Sequence, residues 1–187
     1  NALTVNDHKI NSAEMGYYYI DSLNGFINNL DEQSNGNAAL YLQIYGMDPS
    51  KPLDEQIYDK EKNLTWADHF IEEAKKSAVW TFAVYDEAMA KGFKLSEDGQ
   101  KFLDNFEENM NMYATMYGFS SLKGYLRAYY GDGANVETYK EYYTYNTIAN
   151  AYASEYVDAL EFDNDDYREH EKDKYHEYNS YSYISYY

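Results

Sequence analysis

Cysteine is absent from the 187 residues, and proline occurs only at Pro49 and Pro52. Without cysteine there is no disulfide framework, no thiolate zinc site and no thiol nucleophile; the absence fits either the cytosol or an export route that uses few disulfides. Positive charge is also scarce, with Lys plus Arg at 15 against Asp plus Glu at 33 and a formal net charge of -18. A surface so acidic repels phosphate backbones, which excludes nucleic acid as a partner and favours neutral or cationic ones. No apolar run approaches the roughly 18 to 20 residues of a membrane span, and the start at Asn1 has neither a basic segment nor an apolar one of the signal-peptide kind. The motifs of phosphate binding and of serine or zinc hydrolysis are missing. His8, His69, His170 and His176 include no pair at metal-ligand spacing, and His170 and His176, six apart, fall on different faces of a helix. With so many carboxylates, no one pair singles itself out as a glycosidase pair. No catalytic residue, cofactor or metal is assigned.

What the chain has in abundance is tyrosine, at 25 residues, with a hydrophobic content of 44%. A tyrosine ring presents a flat apolar face at low rotamer cost and keeps its hydroxyl wet, so tyrosine-rich surfaces hold partners while staying hydrated. Such a composition reads as binding rather than conversion.

The opening Leu3 to Ile10 alternates around Asn6-Asp7 and predicts a strand, a tight turn and a return. Asn11, with Glu14 three residues on, predicts a capped helix whose stripe is Met15, Tyr19, Leu23, Phe26 and Leu30, weakened by Gly16 and Gly25. From Asp31 to Leu64 the period breaks, and an irregular insertion over 31–64 with a short strand at Gln56 to Asp59 is expected. Thr65 and Asp68 open the longest helix, striped by Trp66, Phe70, Ala74, Ala78, Phe82, Tyr85 and Met89 and ended by Gly92. Ser96 opens one helix through Phe102, Phe106, Met110, Tyr113 and Tyr117 to Gly118, and a short helix then runs to Tyr130. Asn135 caps a long helix to Leu160, followed by an acid-rich helix from Asp163 to about Tyr178 and a strand-like tail at 179–187. The expected architecture is a single mainly α domain over 1–187, its helices packed as antiparallel neighbours, with short β-strands at the two termini.

Asp163-Asn164-Asp165-Asp166 gathers oxygens of the kind calcium prefers, but it has neither the central glycine nor the distal glutamate of an EF-hand loop, and acids at a helix start complement the macrodipole. Trp66, Phe70, Trp80 and Phe82 read as core on a long central helix. The tyrosine clusters resist that explanation. Adjacent rings sit about 100° apart on a helix, so one buried face does not take all of them. Tyr17, Tyr18, Tyr129, Tyr130, Tyr143 and Tyr145 are therefore the candidate client-binding residues.

The start Val5-Asn6-Asp7-His8-Lys9-Ile10-Asn11-Ser12-Ala13-Glu14-Met15 is similar to the opening of the SurA/PrsA-like extracytoplasmic foldases, with Asp7 in place of the usual glycine. The stretch Leu95-Ser96-Glu97 through Tyr117-Gly118-Phe119-Ser120 and Leu122-Lys123-Gly124-Tyr125-Leu126 resembles the helical core of that family. The segment Gly46 to Asp54, with Thr65-Trp66-Ala67-Asp68, looks like a variant found in lipid-anchored proteins of Gram-positive anaerobes. The resemblance implies a SurA N-terminal-like chaperone domain that holds unfolded or extended polypeptides without ATP. It also implies an extracytoplasmic place at the bacterial cell surface, a lipid anchor as the sole membrane attachment, and a parvulin-type peptidyl-prolyl isomerase domain whose catalytic residues lie beyond Tyr187. A non-catalytic scaffold role in such an isomerase, and a surface adhesin or carbohydrate-binding module with tyrosine platforms, are the alternatives.

Overall fold

The computed structural model describes residues 2–160. The acid-rich segment from Asp163, the tail at 179–187 with its expected C-terminal strand, His170 and His176 lie outside the described residues. The chain divides into two compact units, Asn1–Tyr152 and Ala153–Tyr187; both hydrophobic cores belong to the first.

β1 (Leu3–Val5) and β2 (His8–Ile10) pair antiparallel, Leu3 opposite Ile10 and Val5 opposite His8. Asn6 takes the left-handed conformation at φ 51°, which asparagine tolerates better than most residues. α1 (Ser12–Gln33) starts at Asn11, whose side chain accepts from the Ala13 and Glu14 amides while the Glu14 carboxylate accepts from the Asn11 amide. That reciprocal arrangement is the capping box the sequence predicts.

The 31–64 stretch is more regular than expected. α1 continues to Gln33, and a short helix, α2 (Ala38–Ile44), follows the Asn35-Gly36 turn, where both residues have positive φ. Leu42 and Met47 are buried here with Leu30, Trp66 and Phe70, forming a second core that gives the stretch apolar cover. A 3₁₀ turn at Leu53–Glu55 leads to β3 (Ile57–Asp59), which pairs antiparallel with β4 (Leu64–Thr65). Gln56 staples the loop: its amide nitrogen donates to the carbonyls of Asp48, Lys51 and Pro52, and its oxygen accepts from the Asp48 amide at 2.6 Å.

α3 (Trp66–Ala90) begins with a second capping box, Thr65 with Asp68, and ends where Gly92, at φ 70°, lets the Phe93 amide reach back to the Ala88 carbonyl. The predicted stripe is buried at Trp66, Phe70, Ala74, Ala78 and Phe82; Tyr85 is half-buried and Met89 exposed. α1 and α3 pack along each other, and their sense is antiparallel: Phe26 meets Trp66 and Phe70, while His8, just ahead of α1, stacks on Phe82 at 4.4 Å. Ala74 and Ala78 are fully buried, and their small side chains let the two helices approach.

The helix predicted from Ser96 to Tyr117 is two helices, α4 (Glu97–Asp104) and α5 (Phe106–Met116), broken at Asn105. Asn105 and Asn109 turn their amides back onto the carbonyls of Lys101 and Phe102, the local competition with the backbone that makes asparagine a poor helix interior residue. α6 (Leu122–Tyr130), capped by Ser121, stops at Gly131 with φ 86°. α7 (Val136–Asp158) starts where the Asn135 side chain accepts from the Thr138 amide at 3.0 Å.

Candidate functional site

α1 is covered on two flanks, by α3 on one and by α6 and α7 on the other, and this decides the fate of the first tyrosine cluster. Tyr17 is fully buried: its ring lies 5.1–5.3 Å from those of Tyr130, Tyr139 and Tyr142, and its hydroxyl bonds Thr138 at 2.8 Å. Tyr18, 3% exposed, packs edge-on to Tyr142 and accepts from the Asn146 amide. Neither is open to a client. The expectation assumed a single buried face, whereas a helix enclosed on two sides buries neighbouring positions 100° apart.

The other four candidates divide. Tyr130 is half-buried and donates to Asp21 at 3.0 Å. Tyr145 is half-buried against His8, Phe82 and Tyr85, where it supports the N-terminal hairpin. Tyr129 is 44% exposed beside Tyr125, ring centres 4.6 Å apart. Tyr143 is half-buried, stacks on Phe102 at 5.7 Å and forms part of a trough wall.

That trough is a concave apolar surface among the described residues. It encloses about 580 Å³ between Phe102, Asn109, Met110, Met112, Tyr113, Met116, Tyr125, Tyr139 and Tyr143, none of them charged. α5 supplies its floor and one rim. Met110 is buried and anchors the helix, whereas Met112 and Met116 are 64% and 79% exposed. Tyr113 and Tyr117, one turn apart, lie ring to ring at 4.7 Å with their hydroxyls at 3.2 Å, both exposed. The predicted α5 stripe is core at Phe106 and Met110 and turns outward at Tyr113 and Tyr117; α5 packs against α6 and buries Ala114, while Met112 and Met116 on another face are open to solvent. Burial pushes the Tyr125 and Tyr139 phenols up to about 12.

Met112 and Met116 are not among the residues that tyrosine clustering singles out. The signal for them in the sequence is density: three of the chain's six methionines fall within seven residues, Met110 to Met116. Unbranched, polarizable thioethers adapt to irregular partners and contact aromatic rings favourably.

A second hollow of about 450 Å³ has Trp80, 44% exposed, above Asp21, Asn146 and Asn150. Its polar groups are largely engaged with one another. Tyr142 donates to Asp21, and Asn146 bonds Tyr18, Thr81 and the Tyr142 carbonyl. Among the described residues, no group of three or more His, Cys, Asp or Glu is placed to hold a metal ion, and no helix is long and apolar enough to cross a membrane. In comparisons with known proteins, no family model, no curated protein and no solved structure matches the chain.

Proposed function

We propose that this chain is a client-binding chaperone domain of an exported foldase, holding unfolded or extended polypeptides without ATP. The supporting observation is the uncharged trough whose rim carries Met112 and Met116, both largely exposed, beside the open rings of Tyr113, Tyr117 and Tyr129. Exposed methionine and tyrosine side by side serve a surface that meets many sequences, because contact with thioethers and ring faces depends on area more than on exact complementarity. Covering on the order of 300 Å² of apolar surface contributes roughly 7 kcal/mol, and association entropy offsets most of it. The balance is weak, reversible holding, which suits a chaperone better than a permanent partner.

The proposal includes an extracytoplasmic, lipid-anchored setting, which the likeness of the Val5 to Met15 stretch and of the Leu95 to Leu126 helices to SurA/PrsA-like foldases supports. In a full-length isomerase this unit would be the scaffold. A carbohydrate-binding role is favoured by a different feature, the Trp80 platform over Asp21, Asn146 and Asn150, and would centre on Trp80 instead of the tyrosine clusters.

Light scattering of a denatured client diluted into buffer tests the reading. The chain is expected to suppress aggregation, and Met112→Ser with Met116→Ser to raise the half-effective concentration about fivefold or more. Both residues are exposed, so the variant keeps its fold. No suppression by the unaltered chain at molar excess sinks the proposal.

A further inference from the structure

The charge around the trough says which clients it prefers. Glu108, Met112 and Met116 stand at i, i+4 and i+8 of α5, forming one exposed row in which Met112 and Met116 line the trough and Glu108 stands one helical turn before them. Glu108 and its neighbour Glu107 make no ion pair among the described residues; apart from the His8–Asp86 pair, the ion pairs found there are all between residues three or four apart, on other segments. α4 and α5 together place Glu97, Asp98, Asp104, Glu107 and Glu108 against the single cation Lys101. The basic residues of α6, Lys123 and Arg127, are two turns or less from Tyr125 and Tyr129 in sequence but lie on the opposite side of the helix by its 100° period. The trough is thus an uncharged aromatic and thioether hollow with an exposed carboxylate one helical turn from Met112, on a chain of net charge -18.

We infer that the trough takes basic, apolar segments of other polypeptides: an aliphatic or aromatic side chain enters between Tyr113, Tyr143 and Met116, and a neighbouring lysine or arginine meets Glu108. This inference rests on the holding function proposed above and names its substrate class. Three kinds of attraction converge on that class. Apolar area fills the hollow, a cation is drawn to the faces of the exposed Tyr113, Tyr117 and Tyr129 rings, and the carboxylate attracts it over a Debye length of about 8–10 Å. A second copy of the chain fits poorly, because two such acidic surfaces repel each other as they approach.

The test is fluorescence anisotropy with the whole chain and two labelled, unstructured peptides of the same leucine- and phenylalanine-bearing core, one flanked by lysine and arginine, the other by aspartate and glutamate. The basic peptide is expected to bind about tenfold more tightly at low salt, and the gap to close at high salt. Glu108→Lys should remove most of the preference while leaving salt-independent binding, and Met112→Ser with Met116→Ser should weaken both peptides; circular dichroism of each variant controls for folding. Equal affinity for the two peptides overturns the inference and leaves the holding function standing. Binding of neither peptide overturns both. Binding that ignores the methionine substitutions, or sedimentation showing a dimer that those substitutions dissociate, removes the trough as the client site.

Discussion

The Tyr142 hydroxyl donates to Asp21 Oδ2 at 2.5 Å, and this bond joins α7 to α1 across 121 residues of sequence. Tyr130 donates to the other carboxylate oxygen, so one acid on α1 gathers phenols from α6 and α7. Partial burial raises the Asp21 carboxyl above its ordinary range, and the two phenol donors oppose that rise. The carboxylate is retained because it is hydrogen-bonded, the condition on which a partly desolvated charge is tolerated.

Tyr142→Phe keeps the ring packing against Tyr17 and Tyr18 but leaves Asp21 with one donor fewer. A loss of about 1–2 kcal/mol is expected from urea unfolding. A double-mutant cycle with Asp21→Asn should show coupling, since removing the acid first leaves the phenol with less to lose. Strict additivity would mean the bond contributes nothing.

Alkaline pH should unfold the unit. Burial holds the Tyr125 and Tyr139 phenols at about 12 and raises those of Tyr130 and Tyr142 as well, against about 10 in an unfolded chain. Each folded pKa is raised, so the fold favours the protonated form; the associated stability is complete below about pH 10 and is lost as pH climbs toward the folded values. Phenolate absorbance of this buried set should appear together with loss of helical circular dichroism. A single transition near the unfolded pKa, with helix intact, would contradict this.

At the other end of the scale, His8 Nε2 lies 2.7 Å from Asp86 Oδ1, and Asn6 donates to Oδ2. These two bonds, His8 first, hold the Asp86 carboxyl below its ordinary value. Here the folded pKa is depressed, so the contribution is present above about pH 4 and disappears as pH falls through the lowered value. Because the pair is partly solvated, Asp86→Ala should cost only about 0.5–1 kcal/mol at neutral pH, and the variant and the unaltered chain should converge in stability at low pH. Persistence of the difference in acid would assign the loss to packing instead.

Local chemistry is legible residue by residue. The capping boxes at Asn11 and Thr65, the cap at Ser96, the positive-φ stops at Gly92 and Gly118 and the hairpin around Asn6 all follow from neighbouring residues, because each depends on a bond a few positions away. The departures arise where that locality fails. Asn105 breaks a helix that hydrophobic period alone would carry through, since the period does not register an amide competing for backbone carbonyls. α2 forms within the 31–64 stretch because Trp66 and Phe70, far along the chain, cover Leu42.

Composition and spacing established a mainly helical, acidic, thiol-free chain with more aromatic rings than one face of any helix accommodates. Which rings remain outside was settled by helix packing. α1, enclosed by α3, α6 and α7, takes Tyr17 and Tyr18 inward, and α5, which buries Met110 and Ala114 on its inner face, leaves Met112, Tyr113 and Met116 to solvent. Burial is a property of what lies opposite a side chain in space, and the opposing groups come from positions up to 128 residues distant, beyond the reach of any local pattern.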